Sequence, residues 1–583
     1  MTEVERAGRV PSPPARGVWR WLPGLHTLVH YRAPWLPHDV VAGIVLTAIL
    51  IPVGMGYAQA AGLPAITGLY ATILPLIAYA VAGPSRVLVL GPDSSLAPLI
   101  AAVVLPLAAG DPDRALALAG MLAILTGLLC AVAGLAHVGF VTDLLSVPIR
   151  YGFLNGIALT VIVGQLPALF GFSTDADGLL PETWAFLRGV WNGETVPEAL
   201  AIGVSALVVI LATRRFAPRV PGVLIAALIG MAAVSIFDLR GVVEVVGVLP
   251  SGFPPFTVPS VHLADLWDLS LGAFGIALVA LADTSVLSRT LAARERREVD
   301  PNQELVALGV ANAAAGLFQG FPISSSASRT PVAVSAGART QLAPLVGALA
   351  IALMLLFAPG LVRNLPQAAL AAIVIAAATT LIELRAVIRL LRVRRSEFFL
   401  FLGAFLAVAL LGVLRGIFVA ILLALGNFIR RAWRPHDAVL GRVDDLKGYH
   451  DLDRFPRART IPGLVIYRFD APLFFANAAN FRRRALGLIR AQEGVRWILV
   501  AAEPMTDVDV TAGTVLRDLL DELDEAGVEL AFAEMKDPVK DRLRRYGLYD
   551  RIGADRFFPT LGTAVDAYVR GSGIDWVDWE ERR

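Results

Sequence analysis

The sequence predicts a polytopic α-helical membrane protein with a small soluble α/β domain at its C-terminal end. Three observations predict it. The 583-residue chain is 56% hydrophobic and only 17% charged, with a mean hydropathy of +0.66, whereas soluble domains carry about 25% charged residues. Apolar runs near or above the ~18-residue length of a membrane helix recur between about residues 38 and 431, among them "ALALAGMLAILTGLLCAVAGLA" and "FFLFLGAFLAVALLGVL". From 461 to 572 that character gives way to alternating strand-like and helix-like patterns.

The elements follow in chain order. Residues 1–37 are basic and Pro-rich at the start and lack the apolar core and cleavage site of a signal peptide, so they read as a cytoplasmic segment. The stretch 38–431 accommodates roughly 14 spans at about 17–25 residues each, several of them short or broken. With the N-terminus inside, Arg86, Arg214, Arg215, Arg219, Arg294, Arg296, Arg297, Arg339, the run "RAVIRLLRVRRSE" and Arg430, Arg431 and Arg434 all face the cytoplasm. Loops facing outward hold only Arg114, Arg188, Arg240, Arg363 and Arg415, as the positive-inside rule requires. An even number of spans returns the chain to the cytoplasm. Residues 432–460 are charged and aperiodic and read as a linker. In the tail, "GLVIYRFDAPLFFANA", "VRWILVAAE" and "VELAFAEM" read as strands, and "VTAGTVLRDLLDELDEAG" as an amphipathic helix stopped by glycine.

Composition also excludes functions. The formal net charge of +2 gives no sign of a nucleic-acid partner, and the single Cys130 rules out an intrachain disulfide. No Gly-rich nucleotide motif, metal-ligand cluster or nucleophile–base pattern stands out. The chain is therefore not expected to be an enzyme, and neither a cofactor nor a metal is expected.

Two polar interruptions carry the functional signal: "GPSRVLVLGPDSSLAPL" at 83–99 and "GFPISSSASRTPVAV" at 320–334. Each places Gly or Pro, then a serine cluster, then a short apolar run, at comparable points of the two halves of the membrane region. Paired interruptions of this kind point to a transporter site built from broken helices. A half-helix beginning at mid-membrane aims unsatisfied N–H groups and a partial positive charge into the site, which favours an anion. Ser94, Ser95, Ser324, Ser325, Ser326 and Ser328 would add hydroxyls, and Arg329 a fixed charge that is costly at membrane depth unless it lines a cavity or has a partner.

At these residues the chain resembles the SulP anion permeases. The resemblance rests on "AGIVLTAILIPVGMGYAQAAGLPAITGLYATILPLIAYAVAGPSRVLVLGP", on "DPNQELVALGVANAAAGLFQGFP" and on the Ser-Ala-Ser-Arg that follows. The tail, with "FDAPLFFANA" and "DVDVTA", resembles the STAS domain of those permeases. The resemblance implies two inverted seven-helix repeats, about 38–238 and 268–431, with the third and tenth helices as half-helices. It also implies a cytoplasmic STAS domain at 461–572, a homodimer and a place in the cell's inner membrane. Carried over by position, the substrate site falls on Tyr57, on Asp93, Ser94 and Ser95, and on Ser326, Ala327, Ser328 and Arg329.

The chain departs from the family at two of these places. Val53 stands where a glutamine is frequent, and Asp93 where neutral residues usually begin the half-helix. Asp93 reads either as a helix cap or as a gate that pairs with Arg329 until an anion enters. In the STAS region Val510 takes the position of the phosphorylatable serine of anti-sigma-factor antagonists. That substitution speaks against phosphoregulation there and leaves a dimer contact or a folding aid as the expected role.

Asp283 is the one carboxylate in "FGIALVALADTSVLSRTL". In a span it costs about 2.5–3.5 kcal/mol unless paired or protonated. It reads either as a structural partner for an arginine or hydroxyls, or as the group that couples transport to H⁺ or Na⁺, as the resemblance implies. The expected function is secondary active transport of a small inorganic or organic anion, sulfate first, by alternating access. Bicarbonate and C4-dicarboxylates are alternatives within the family; a passive anion channel and a nucleobase-type permease are alternatives outside it.

Overall fold

The computed structural model describes residues 19 and 21–576, except 138–145, 175, 177, 218–219, 296–297 and 327. Ala327 and the first 18 residues of the N-terminal segment thus lie outside the described part. The chain divides into two compact units, Met1–Ala424 and Leu425–Arg583.

In the first unit a short helix, α1 (Pro23–Val29), precedes seven membrane-directed helices: α2 (Leu36–Ala60), α3 (Ala65–Ala82), α4 (Ala97–Ala108), α5 (Pro112–Leu135), α6 (Val147–Phe170), α8 (Pro197–Phe216) and α9 (Gly222–Ile236). Between α6 and α8 lies α7 (Leu179–Trp191), whose exposed Leu180, Trp184, Leu187 and Trp191 give it an interfacial character. The second half repeats the order with α10 (Asp265–Glu295), α11 (Pro301–Leu317), α12 (Arg329–Ser335), α13 (Leu342–Phe357), α14 (Gln367–Ala378), α16 (Arg395–Leu411) and α17 (Val413–Trp433). Its short α15 (Leu384–Val393) is again amphipathic and lies at the position corresponding to α7. Among the described residues eight helices are long and apolar enough to cross a membrane, and others are shorter apolar pieces. That is the mixture of full and broken spans that the sequence predicts.

Packing reveals the repeat. Helix α5 lies along α11, and its counterpart α13 lies along α3; likewise α16 packs on α6 while α8 packs on α14. Such reciprocal contacts follow from a two-fold relation between the halves, and an odd number of spans per half makes the repeats inverted. Close approach rests on glycines: a Cβ on Gly127 would sit 2.6 Å from the Gly309 carbonyl oxygen, and one on Gly309 2.6 Å from that of Gly127, the small-residue packing that lets membrane helices touch backbones. Helices α2–α5 and α10–α13 form one group; α6, α8, α9, α14 and α16 pack among themselves as a second.

The second unit has a six-stranded sheet of order β4-β3-β5-β6-β7-β8. Strands β5 (Leu464–Phe469), β6 (Trp497–Ala501), β7 (Glu529–Ala533) and β8 (Phe557–Phe558) run parallel. Strands β3 (Asp437–Arg442) and β4 (Tyr449–Asp451) add antiparallel partners at the other edge. The segment 432–460, expected to be a linker, therefore supplies two strands. Ala438 and Leu440 turn inward from β3 and join a small core with Ile466 and Leu499, which the surrounding charges conceal in the sequence. Helix α18 (Val510–Glu525), the amphipathic helix predicted from the sequence, is capped by Asp509, which accepts from the Ala512 N–H at 2.7 Å. Gly527, at φ +66°, follows its C-terminal end in the left-handed conformation expected of a C-cap glycine.

Candidate functional site

The two interrupted segments meet. Strand β1 (Leu90–Gly91) pairs antiparallel with β2 (Ser324–Ser325), Leu90 opposite Ser325 and Gly91 opposite Ser324. The Ser326 N–H donates to the Val89 carbonyl at 3.0 Å and extends the bridge. Beyond each strand a short helix runs on: α4 has 12 residues and α12 has 7. At 1.5 Å per residue these span about 18 and 10 Å of a hydrocarbon core about 30 Å thick, so both begin inside the bundle.

Side-chain amides hold this crossing in place. Asn312 on α11 accepts from the Ile323 N–H at 2.9 Å and donates to the Ile323 carbonyl at 3.1 Å, clamping the chain just before β2. Gln341, just before α13, donates to the Ser85 and Leu88 carbonyls, each at 2.9 Å, and clamps the chain before β1. Glu304, also buried, collects the hydroxyls of Tyr79, Ser85 (2.9 Å) and Ser288 (3.1 Å). Three hydroxyls on one side chain supply the hydrogen bonds that a buried carboxyl group requires. The sequence reading missed all three residues. Only Asn312 carried a signal, a lone polar side chain in the apolar stretch "LVALGVANAAAGLF", which a span without a partner would not tolerate.

Arg329, 1% exposed, projects into the crossing. Its Nη2 donates to the Pro92 carbonyl, and its backbone N–H donates to Ser326 Oγ at 3.2 Å. A Cβ on Gly91, whose φ is +146°, would stand 3.0 Å from Arg329 Nη1, so glycine is required both for the turn and for the arginine's approach. The guanidinium Nε and Nη1 are buried without a hydrogen-bond partner among the described residues, and so is Ser325 Oγ. Ser326 Oγ lies 3.2 Å from Ser328 Oγ.

Asp93 closes the turn that leads into α4, whose own N-cap position is Leu96. Its Oδ1 accepts from the Ser95 N–H at 3.0 Å and the Ser95 hydroxyl at 2.9 Å, while its carbonyl accepts from Leu96 N (3.2 Å) and Ala97 N (3.1 Å). No direct Asp93–Arg329 ion pair forms; the Pro92 carbonyl takes the arginine's hydrogen bond. The Ser95 hydroxyl also lies 3.1 Å from Asp283 Oδ2, which joins the carboxylate of α10 to the half-helix α4.

Tyr57, 3% exposed and in contact with Ser94, completes the wall. Tyr57, Asp93, Ser94, Asp283, Ser325 and Ser328 line one cavity of about 650 Å³ between the two helix groups. Val53 presents an apolar face to it, and the second group contributes Arg150, Leu154, Thr213, Arg214 and the end of α14. Of the residues expected at the site, Ser95, Ser326 and Arg329 lie at the crossing behind this cavity rather than on its surface, whereas Ser325 reaches the surface.

Two inverted halves that each break a helix at one shared mid-bundle crossing, beside a polar cavity, define a broken-helix membrane transporter. The chain belongs to the sulfate permease family, which its residues 36–404 match, and residues 455–564 match the STAS domain. It is 44% identical over 553 residues to a Mycobacterium tuberculosis (strain ATCC 25618 / H37Rv) protein named "Probable sulfate transporter Rv1739c", covering 94% of this chain and 98% of that one. Identity to "Sulfate transporter 4.1, chloroplastic" of Arabidopsis thaliana is 29%, over 92% of this chain and 81% of the other. The fold is similar to that of murine Solute Carrier 26 family member A9, an anion transporter solved in the inward-facing state, with TM-score 0.87, 23% identity and 97% of each chain covered. It is also similar to the transmembrane domain of a cyanobacterium bicarbonate transporter, BicA, at TM-score 0.58 and 23% identity, covering 68% of this chain and 99% of that one. The family is one of transporters rather than enzymes.

Proposed function

We propose that the protein is a secondary active transporter of a small oxyanion, sulfate first, driven by a proton gradient. One observation carries the anion reading: Arg329 Nε and Nη1 and Ser325 Oγ are buried donors without partners, beside a cavity walled by Tyr57 and Ser94. Donors of this kind destabilise a buried site unless an acceptor meets them, and an oxyanion presents several acceptors at once. The names of the relatives, sulfate transporters from a bacterium and a plant, support sulfate as that anion.

Coupling follows from hydrogen counting. Ser95 Oγ lies within hydrogen-bond distance of both Asp93 and Asp283 but has a single hydrogen. Both contacts are satisfied together when Asp283 carries a proton and donates it to Ser95 Oγ, which then donates to Asp93. A proton on Asp283 thus tightens α10 against the half-helix that faces the anion. This supports H⁺ rather than Na⁺ as the coupling ion. The arginine distribution supports a cytoplasmic N-terminus, a cytoplasmic STAS domain and an inward-facing Arg214 end of the cavity. The family resemblance supports a homodimer.

The test is uptake of labelled sulfate, bicarbonate and fumarate into proteoliposomes, each with and without an inward H⁺ or Na⁺ gradient. Sulfate accumulation that a proton gradient drives and an ionophore abolishes is the expected result. Uptake of bicarbonate or fumarate alone would reassign the substrate. Equilibration without accumulation under either gradient would make the protein a passive pathway.

A further inference from the structure

Arg150 lies in the first turn of α6, on the opposite wall from the half-helix crossing, and lines the same cavity as Asp283. Its Nε is buried and has no hydrogen-bond partner among the described residues. A cation placed only to mark the cytoplasmic end of a span would extend its head group into water; this one turns its guanidinium stem toward the cavity.

The charge balance gives that placement a purpose. At the cavity the group α2–α5 with α10–α13 sets two carboxylates, Asp93 and Asp283, against one guanidinium, Arg329. A monoanion is answered by Arg329 and the backbone donors of the crossing. With the coupling proton on Asp283, Asp93 and Arg329 cancel, so a dianion held there meets no net positive charge unless a second cation faces it. Arg150 and, further out and solvated, Arg214 are the charged groups that the second helix group brings to this cavity.

Resting on the anion reading above, we infer that Arg150 is a second anion-binding residue, contributed by the opposing helix group, and that it makes the site selective for divalent over monovalent oxyanions. Its Nε and terminal nitrogens form the fork that suits two oxygens of one tetrahedral anion. Arg329 holds the anion from one helix group and Arg150 from the other, so the dianion itself draws the two groups together. A monoanion engages only the Arg329 side.

The experiment is equilibrium binding of labelled sulfate to the purified full-length protein, with displacement by unlabelled sulfate, selenate and nitrate. It compares wild type with Arg150→Gln, Arg150→Lys and, as a solvated control outside the cavity lining, Arg215→Gln. Arg150→Gln is expected to raise the sulfate and selenate Kd about tenfold or more, equivalent to about 1.4 kcal/mol, with nitrate changed by less than about twofold. Arg150→Lys is expected to recover most of the sulfate affinity, and Arg215→Gln to stay within about twofold of wild type. If Arg150→Gln does not fold, Arg150→Lys carries the test through a selective two- to fivefold weakening of sulfate, roughly the loss of the fork geometry. An unchanged sulfate-to-nitrate ratio in the Arg150 variants overturns this inference alone. Absence of sulfate binding in the wild type overturns the sulfate reading and this inference with it.

Discussion

The two half-sites at the crossing share a backbone plan and differ in charge. Each consists of a two-residue strand and a short helix, with a side-chain amide clamping the chain just before the strand. The first carries Asp93, which turns back onto its own helix start; the second carries Arg329, whose guanidinium crosses to the Pro92 carbonyl of the first. The repeat therefore supplies the geometry twice, while single side chains decide which half answers an anion. Substitutions at matched places should have unequal effects.

The largest difference is expected at Arg329. Arg329→Ala should lower proteoliposome uptake about 100-fold or more, equivalent to at least about 2.7 kcal/mol, while the protein still purifies as a folded species. An equal loss in Asp93→Ala would break the comparison. Next comes Asp283→Asn. It should abolish gradient-driven accumulation while leaving downhill exchange of sulfate measurable, and accumulation retained in that variant would end the coupling role. The clamps follow. Asn312→Ala strands the buried N–H and carbonyl of Ile323, at about 1–3 kcal/mol for each group, and should lower the thermal midpoint in detergent. Gln341→Ala strands only carbonyls, which tolerate missing partners better than N–H groups do, so its midpoint should fall less. The smallest effect is expected for Asp93→Asn. Asparagine closes such a turn as well as aspartate, so stability should stay near wild type, whereas Asp93→Ala should lose about 1 kcal/mol. A large transport defect in Asp93→Asn with stability intact would make Asp93 a gate.

The crossing was legible because proline, glycine and serine interrupt apolar runs at matched places in the two halves, a pairing that points to broken spans rather than to an ordinary loop. Three of the four parallel strands of the STAS domain, β5 to β7, were legible from continuous apolar runs such as "WILVA" and "LAFA". Strand β3 was not, because the burial of Ala438 and Leu440 is local and charged residues surround them. Glu304 was concealed by its place near the start of α11, where an acidic side chain ordinarily serves the helix dipole; only tertiary structure brings Tyr79, Ser85 and Ser288 to it. Arg150 stood at the edge of an apolar run, where a cation ordinarily marks the cytoplasmic side. Its value depends on the facing Asp283, 133 positions further along the numbering. Sequence patterns report what a residue does for its own helix; they do not report what a distant helix presents to it.

The central claim is that the anion sits at the strand crossing, with Arg329 on one side of it. Crystals of the full-length protein grown with selenate, the isostere of sulfate, and measured at the selenium absorption edge test this most directly. The account predicts an anomalous peak within hydrogen-bond distance of Arg329 Nη1 and Ser325 Oγ that disappears in Arg329→Ala. A peak elsewhere in the membrane unit, or one that persists in the variant, would contradict it.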